Sequence, residues 1–305
     1  MLNKIPQSAL KQLSSEGYFF IEKLIPDEIL TELQESLSPW KDRPAINGYG
    51  CLYHSNDALL QNLALYSAVA LKIALDEHIL DLIEAHYGQK VILSKIEYRR
   101  ALVRKPAMPL HCDGSKDLLV FIYLNGVDKE TGMTAVVPGT HKIGVANNDG
   151  FLQVPTQVYQ DYGTNIVPIE GGPGAAVVFE ADIWHSRIES VRAGREIMWC
   201  SYSPISNPRD TLDLVFCRTS LIGLSERQFN VLGLRNPDLG NKKGEDFRLS
   251  KNLMADSIYL LPLGWLAKAA IKNLIVKIRM KIPEGPKAII RRFLPNREIN
   301  RKKIY

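Results

Sequence analysis

A chain of 305 residues with 46% hydrophobic and 23% charged side chains has apolar material for a sizeable core, which excludes a wholly disordered protein. Its four cysteines (Cys51, Cys112, Cys200 and Cys217) are widely spaced with no CxxC pair; this excludes a disulfide framework or cysteine zinc site and points to reduced thiols in the cytoplasm. The formal charge of +5 hides a split: 268–305 holds twelve Lys and Arg against Glu284 and Glu298, a net of +10, which leaves 1–267 at −5.

In chain order, MLNKIPQSALKQLSSEG lacks the apolar stretch of a secretory signal. The first 90 residues read as mainly helical. Tyr18-Phe19-Phe20-Ile21 looks like a short strand, and Pro26-Asp27-Glu28 opens a helix with Leu30, Leu33 and Leu37 on one face. A further helical pattern is predicted from about Asp57 to Tyr87, through Leu59, Leu60, Leu63, Ile79, Leu82 and Ile83. Then the period changes. Val91–Lys105, Leu118–Asn125, Thr134–Val137, Ala175–Glu180, Ile183–Arg187 and Arg195–Ser203 are rich in β-branched and aromatic residues, with turn signals such as Asn125-Gly126 and Pro138-Gly139 between them. No helix-length pattern separates consecutive strands. A parallel sheet is therefore disfavoured, and an antiparallel sandwich or jelly roll with flanking helices is expected.

The sharpest motif is Leu110-His111-Cys112-Asp113-Gly114. Alternation along a strand puts His111 and Asp113 on one face, where both can reach a single ion. His185, on a later strand, supplies a third donor. Two imidazoles and one carboxylate on one side of an ion leave the other side open, the arrangement that non-haem Fe(II) oxygenases use. An isolated HxD is common by chance, so its surroundings decide the weight it carries.

Those surroundings resemble the phytanoyl-CoA dioxygenase family of 2-oxoglutarate oxygenases from about Gly17 to Pro204. The matching blocks are Gly17-Tyr18-Phe19-Phe20-Ile21, Lys105-Pro106 with Pro109-Leu110-His111-Cys112-Asp113, Leu124-Asn125-Gly126-Val127-Asp128, Thr131-Gly132-Met133 and Val137-Pro138-Gly139-Thr140-His141-Lys142. Gly174, Phe179, His185, Ser186 and Arg195 follow in order. The resemblance implies a mainly β fold with a double-stranded β-helix (jelly roll, cupin-like) core. It also implies Fe(II) on His111, Asp113 and His185, with 2-oxoglutarate and O₂ as co-substrates and succinate and CO₂ as products. Cys112 stands where the family often has Gln. Asp113 is intact, unlike in the related halogenases, so hydroxylation is expected.

The far carboxylate of 2-oxoglutarate needs a fixed cation, which an arginine fork provides bidentately. Arg195 takes that role by resemblance, ten residues after His185 and opening a strand; Arg192, in a turn, is the rival. Ser186 and Lys105 are further candidates for polar contacts to the co-substrate. His141 reads as a turn residue, and His54, His78 and His86 show no partner pattern. Arg99, Arg100 and Arg104 face either an anionic substrate or solvent.

The domain expected over 1–250 comprises a helical part to about 90 and a barrel over about 91–205, with a basic amphipathic tail over 251–305. In the tail Leu266, Ala270, Ile271, Leu274, Ile275 and Ile278 share a helical face, and Lys268, Lys272, Lys277, Arg279 and Lys281 fill the remainder. Pro262, Lys268 and Lys272 interrupt any membrane span. The tail suits either the inner face of an anionic bilayer or docking on the barrel. The expected substrate is a small or lipid-linked molecule. A non-catalytic ligand-binding barrel and a membrane-surface interaction protein are the competing classes, and nucleic acid is disfavoured for want of a stacking pattern.

Overall fold

The computed structural model describes residues 2–42, 51–54, 57–102, 107–113, 116–143, 146–148, 151–207, 214 and 218–234. Lys105, Arg104 and the whole basic tail lie outside them, as does the expected boundary near 250.

The N-terminal third begins with α1 (Ser8–Glu16), which stops at Gly17 in the left-handed conformation, φ +80°. Strand β1 (Tyr18–Ile21) follows, then α2 (Asp27–Leu37), whose first turn carries Asp27 and Glu28 and whose buried stripe is Leu30, Leu33 and Leu37. β2 (Cys51–His54) and β3 (Asp57–Gln61) form an antiparallel hairpin. Helix α3 (Ala68–Ala74) is capped by the Ser67 hydroxyl and α4 (Glu77–Tyr87) by the Asp76 carboxylate. The hairpin corrects one expectation: Asp57–Gln61 is strand, not helix. Leu60 packs outward into the helices and Leu59 is buried on the opposite face, so the segment shows no apolar–polar alternation for a period to reveal.

The remaining elements are β4 (Val91–Ala101), β5 (Met108–His111), β6 (Leu118–Tyr123), β7 (Thr134–Val136), β8 (Ala146–Asn148), β9 (Phe151–Gln153), α5 (Thr156–Asn165), β10 (Val167–Ile169), β11 (Ala176–Glu180), β12 (His185–Arg187), β13 (Glu196–Pro204) and α6 (Glu226–Val231). Helix α5 stands between strands where no helical pattern was legible; Val158 is its one buried residue, too little to mark a face.

All pairings are antiparallel. One sheet runs β1-β11-β6-β13-β4-β3-β2, a second β10-β7-β12-β5, and β8-β9 is a separate ribbon. The larger sheet is buried on both faces. Its outer face packs Ile96, Tyr98, Val120, Ile122, Val178 and Met198 against α1 to α4. Its inner face meets the smaller sheet, where Leu119, Tyr123, Phe179 and Ile197 join Val136 and Ile169 in one apolar cluster. The fold is thus mainly β with flanking helices around a jelly-roll core, and its interior holds the site.

Candidate metal and co-substrate site

His111 ends β5 and pairs directly with His185, the first residue of β12. Their rings lie 4.2 Å apart between centroids. Asp113 is two residues past the end of β5, so strand alternation alone does not fix it; its N–H donates to the Ala181 carbonyl at 2.8 Å. One donor atom from each of His111, Asp113 and His185 lies within 4.8 Å of the others, and among the described residues no other such group occurs.

Each imidazole is tied the same way. His111 Nδ1 is 2.8 Å from the Pro109 carbonyl and His185 Nδ1 is 2.9 Å from the Ile183 carbonyl. A carbonyl only accepts, so each Nδ1 carries the proton and Nε2 keeps its lone pair for an ion. Burial, then the neighbouring His111, hold His185 below the usual imidazole range, which keeps it in the neutral form a metal needs. A ferrous ion fits this donor set: two neutral nitrogens and one carboxylate arriving from one side.

Neighbouring backbone holds these donors in place. The Thr140 hydroxyl donates to the Val137 carbonyl at 2.6 Å and accepts from the Trp184 N–H at 3.0 Å, pinning the residue before His185. The Asp117 carbonyl accepts from Ala181 N–H at 2.9 Å, and its carboxylate takes the hydroxyls of Ser201 (2.9 Å) and Ser203 (2.7 Å). This links β13 through Ala181 to Asp113. Phe179 lies 5.4 Å from the His185 ring and 4.9 Å from Phe121, which lies 5.9 Å from Trp199. These rings wall one side of the interior.

Arg195 immediately precedes β13 and is 8% exposed. Its carbonyl accepts from Ala101 N–H at 2.9 Å, so it shares the inward face with Ile197. Nη1 donates to the Gly132 carbonyl at 2.5 Å. Gly132 sits at φ +89°, and a Cβ there would lie 3.0 Å from the Ile188 carbonyl, which accounts for glycine at this point of the expected Thr131-Gly132-Met133 block. Burial pushes Arg195 down to about 10 against the opposing pull of Tyr123. Among the described residues no carboxylate forms an ion pair with it. A buried guanidinium with its fork partly spent on a carbonyl fits an incoming carboxylate. Arg192 is instead exposed, with Nε 3.0 Å from Glu130 and Nη2 3.1 Å from Asp128. The two arginines predicted as rivals therefore occupy different environments.

Ser186 requires a correction. It pairs with Ala135, one residue out of step with His185, and so faces the opposite side of β12 from the imidazole. Arg187 is the residue that turns inward with His185. Strand alternation from His185 was the signal that could have found it. Lys105 lies outside the described residues.

The sequence matches no protein-family model and no curated protein. The fold is shared with solved structures of non-haem, 2-oxoglutarate-dependent enzymes. Among solved structures the chain is similar to EctD from S. alaskensis with bound Fe, with a TM-score of 0.55 and 16% identity over 68% of this chain and 79% of that one. It is similar to the non-haem alpha ketoglutarate dependent epimerase SnoN from nogalamycin biosynthesis, with a TM-score of 0.54 and 17% identity over 65% and 83%. HygX from Streptomyces hygroscopicus, solved with nickel, 2-oxoglutarate and hygromycin B, gives 0.52 and 15% over 66% and 88%.

Proposed function

We propose that this chain is an Fe(II)- and 2-oxoglutarate-dependent oxygenase of the phytanoyl-CoA dioxygenase kind. It hydroxylates an unactivated C–H bond of a small or lipid-linked molecule and releases succinate and CO₂. The observation that carries the reading is the convergence of His111, Asp113 and His185 with both Nδ1 atoms committed to backbone carbonyls, together with the buried guanidinium of Arg195 on the inward face of the larger sheet.

In this reading His111, Asp113 and His185 hold the iron, and Arg195 fixes the far carboxylate of 2-oxoglutarate. When bound, iron and co-substrate together supply the oxidising power that activates O₂ against a C–H bond. The protein's own work is positional. The carbonyls of Pro109 and Ile183 fix the imidazole tautomers, Thr140 and Asp117 steady the strands that present the donors, and the Phe179–Phe121–Trp199 wall keeps water from one side of the interior.

Anaerobic addition of Fe(II) and 2-oxoglutarate tests it. We expect a metal-to-ligand charge-transfer absorption, and succinate once O₂ is admitted. Asp113→Ala and His185→Ala should abolish the band. Arg195→Ala should keep it but weaken 2-oxoglutarate binding by about a hundredfold, in the range for one partner of a buried charge pair. An unchanged band in both ligand variants would remove the assignment, and a band without succinate would leave the non-catalytic barrel.

A further inference from the structure

Among the described residues, the interior carries more positive charge than the proposed co-substrate can neutralise. In the larger sheet Leu59, Arg99, Ile197 and Tyr123 form one cross-strand row, and Gln61, Glu97, Trp199 and Phe121 form the next. Ile197 and Tyr123 belong to the apolar cluster between the sheets, so Arg99 shares the inward face. Its neighbour Arg100 points the other way, onto Asp42 at 2.9 Å. Across the interior, Arg187 pairs with Thr134 and shares the face of His185. Asp57 stands opposite Ala101 on the inward face of β3 and is 9% exposed.

These groups sense one another. Against burial, Tyr123 and then Asp57 hold the Arg195 guanidinium up. Arg195 is depressed by Arg187 and Arg99 after burial. The other charges on the inward face of β4, Lys95 and Glu97, lie 3.8 Å apart and cancel. Among the described residues of this cluster, Asp57 sets one carboxylate against these three guanidiniums and leaves two positive units. The far carboxylate of 2-oxoglutarate takes one, at Arg195. One remains, at Arg99. The Arg99 Nε is buried and finds no hydrogen-bond acceptor among the described residues, an arrangement that is expensive unless a ligand completes it.

We infer that Arg99 and Arg187, with Asp57 orienting the second, form a subsite for an oxyanion on the substrate, so the molecule oxidised carries a carboxylate or a phosphate ester. The inference rests on the reading of Arg195 as the co-substrate clamp. The aromatic wall of Trp199 and Phe121, one row away, would take the apolar part of such a substrate.

Calorimetry of the full chain under nitrogen tests this without turnover. With Fe(II) and saturating 2-oxoglutarate present, butyl phosphate, butanoate and butan-1-ol are titrated in turn. We expect at least one oxyanion to bind tenfold or more tightly than the alcohol, and the two to be ranked by which chemistry the subsite takes. Arg99→Gln and Arg187→Gln should each erase the preference; Arg99→Lys should keep part of it, which guards against an Arg187 variant that misfolds beside Asp57. Equal binding of oxyanions and alcohol overturns the inference, as does an oxyanion that merely displaces 2-oxoglutarate. Absence of the charge-transfer band with the oxyanion preference intact would instead defeat the oxygenase reading and leave the subsite standing.

Discussion

Two residues decide most about the interior, and they pull stability and function apart. Arg195 is a cation whose pKa falls on folding to about 10, so it opposes folding at every pH below about 10 and ceases to as pH climbs into the ordinary guanidinium range. Replacing a buried, poorly paired charge with an apolar side chain of similar length removes that opposition. Arg195→Met should therefore raise the stability of the metal-free protein by about 1–3 kcal/mol in urea denaturation, while 2-oxoglutarate stops adding any. A variant less stable than the parent would show that the bond to the Gly132 carbonyl outweighs desolvation. Thr140 has the opposite character. Its hydroxyl is buried and satisfies two partners, one of them the N–H of Trp184 beside His185. Thr140→Val should cost about 1–3 kcal/mol by stranding that N–H, and should also weaken iron binding. Lost stability with unchanged iron affinity would confine Thr140 to a packing role.

Between elements, the junction of α1, β1 and the Pro138-Gly139-Thr140-His141 turn explains why distant blocks of the sequence go together. Gly17 ends α1, and a Cβ on it would lie 2.4 Å from His141 Nδ1. Gly139 N–H donates to the Glu16 carbonyl at 2.8 Å and Glu180 N–H to the Gly17 carbonyl at 2.9 Å. His86 Nε2 and His141 Nε2 lie 3.3 and 3.8 Å from the same Glu180 oxygen. The glycine is therefore required twice over, by its positive φ and by the imidazole against it. Gly17→Ala should lose about 1–3 kcal/mol in thermal or urea unfolding; a neutral result would mean that His141 swings aside. The smaller α6 is held differently: Arg227 reaches Glu77, Asp81 and Glu84 along α4, a half-exposed network that ties the last described element to the helical layer.

At the scale of the whole molecule, the acidic body and basic tail remain the strongest asymmetry. No described helix is long and apolar enough to cross a membrane. We propose that the tail binds anionic bilayers peripherally. The intact chain should co-sediment with phosphatidylserine vesicles and release as salt rises, and a chain ending at Ser257 should stay in the supernatant. Equal sedimentation of the two would assign the tail to the barrel. The jelly-roll class, most strands and the three metal-ligand candidates were legible in the sequence, because alternation, turn glycines and HxD spacing are local properties. The β2–β3 hairpin was not, because a strand covered by helices on one face and barrel on the other loses its alternation. Nor was the inward charge. Whether Arg187 or Ser186 meets the metal side, and whether Arg99 or Arg100 enters the interior, depend on the register between strands far apart in the chain. By itself the sequence determined which chemical groups are present and in what order. Only the tertiary structure decided which of them share one low-dielectric space, because a shift of one residue along a strand turns every side chain to the other face.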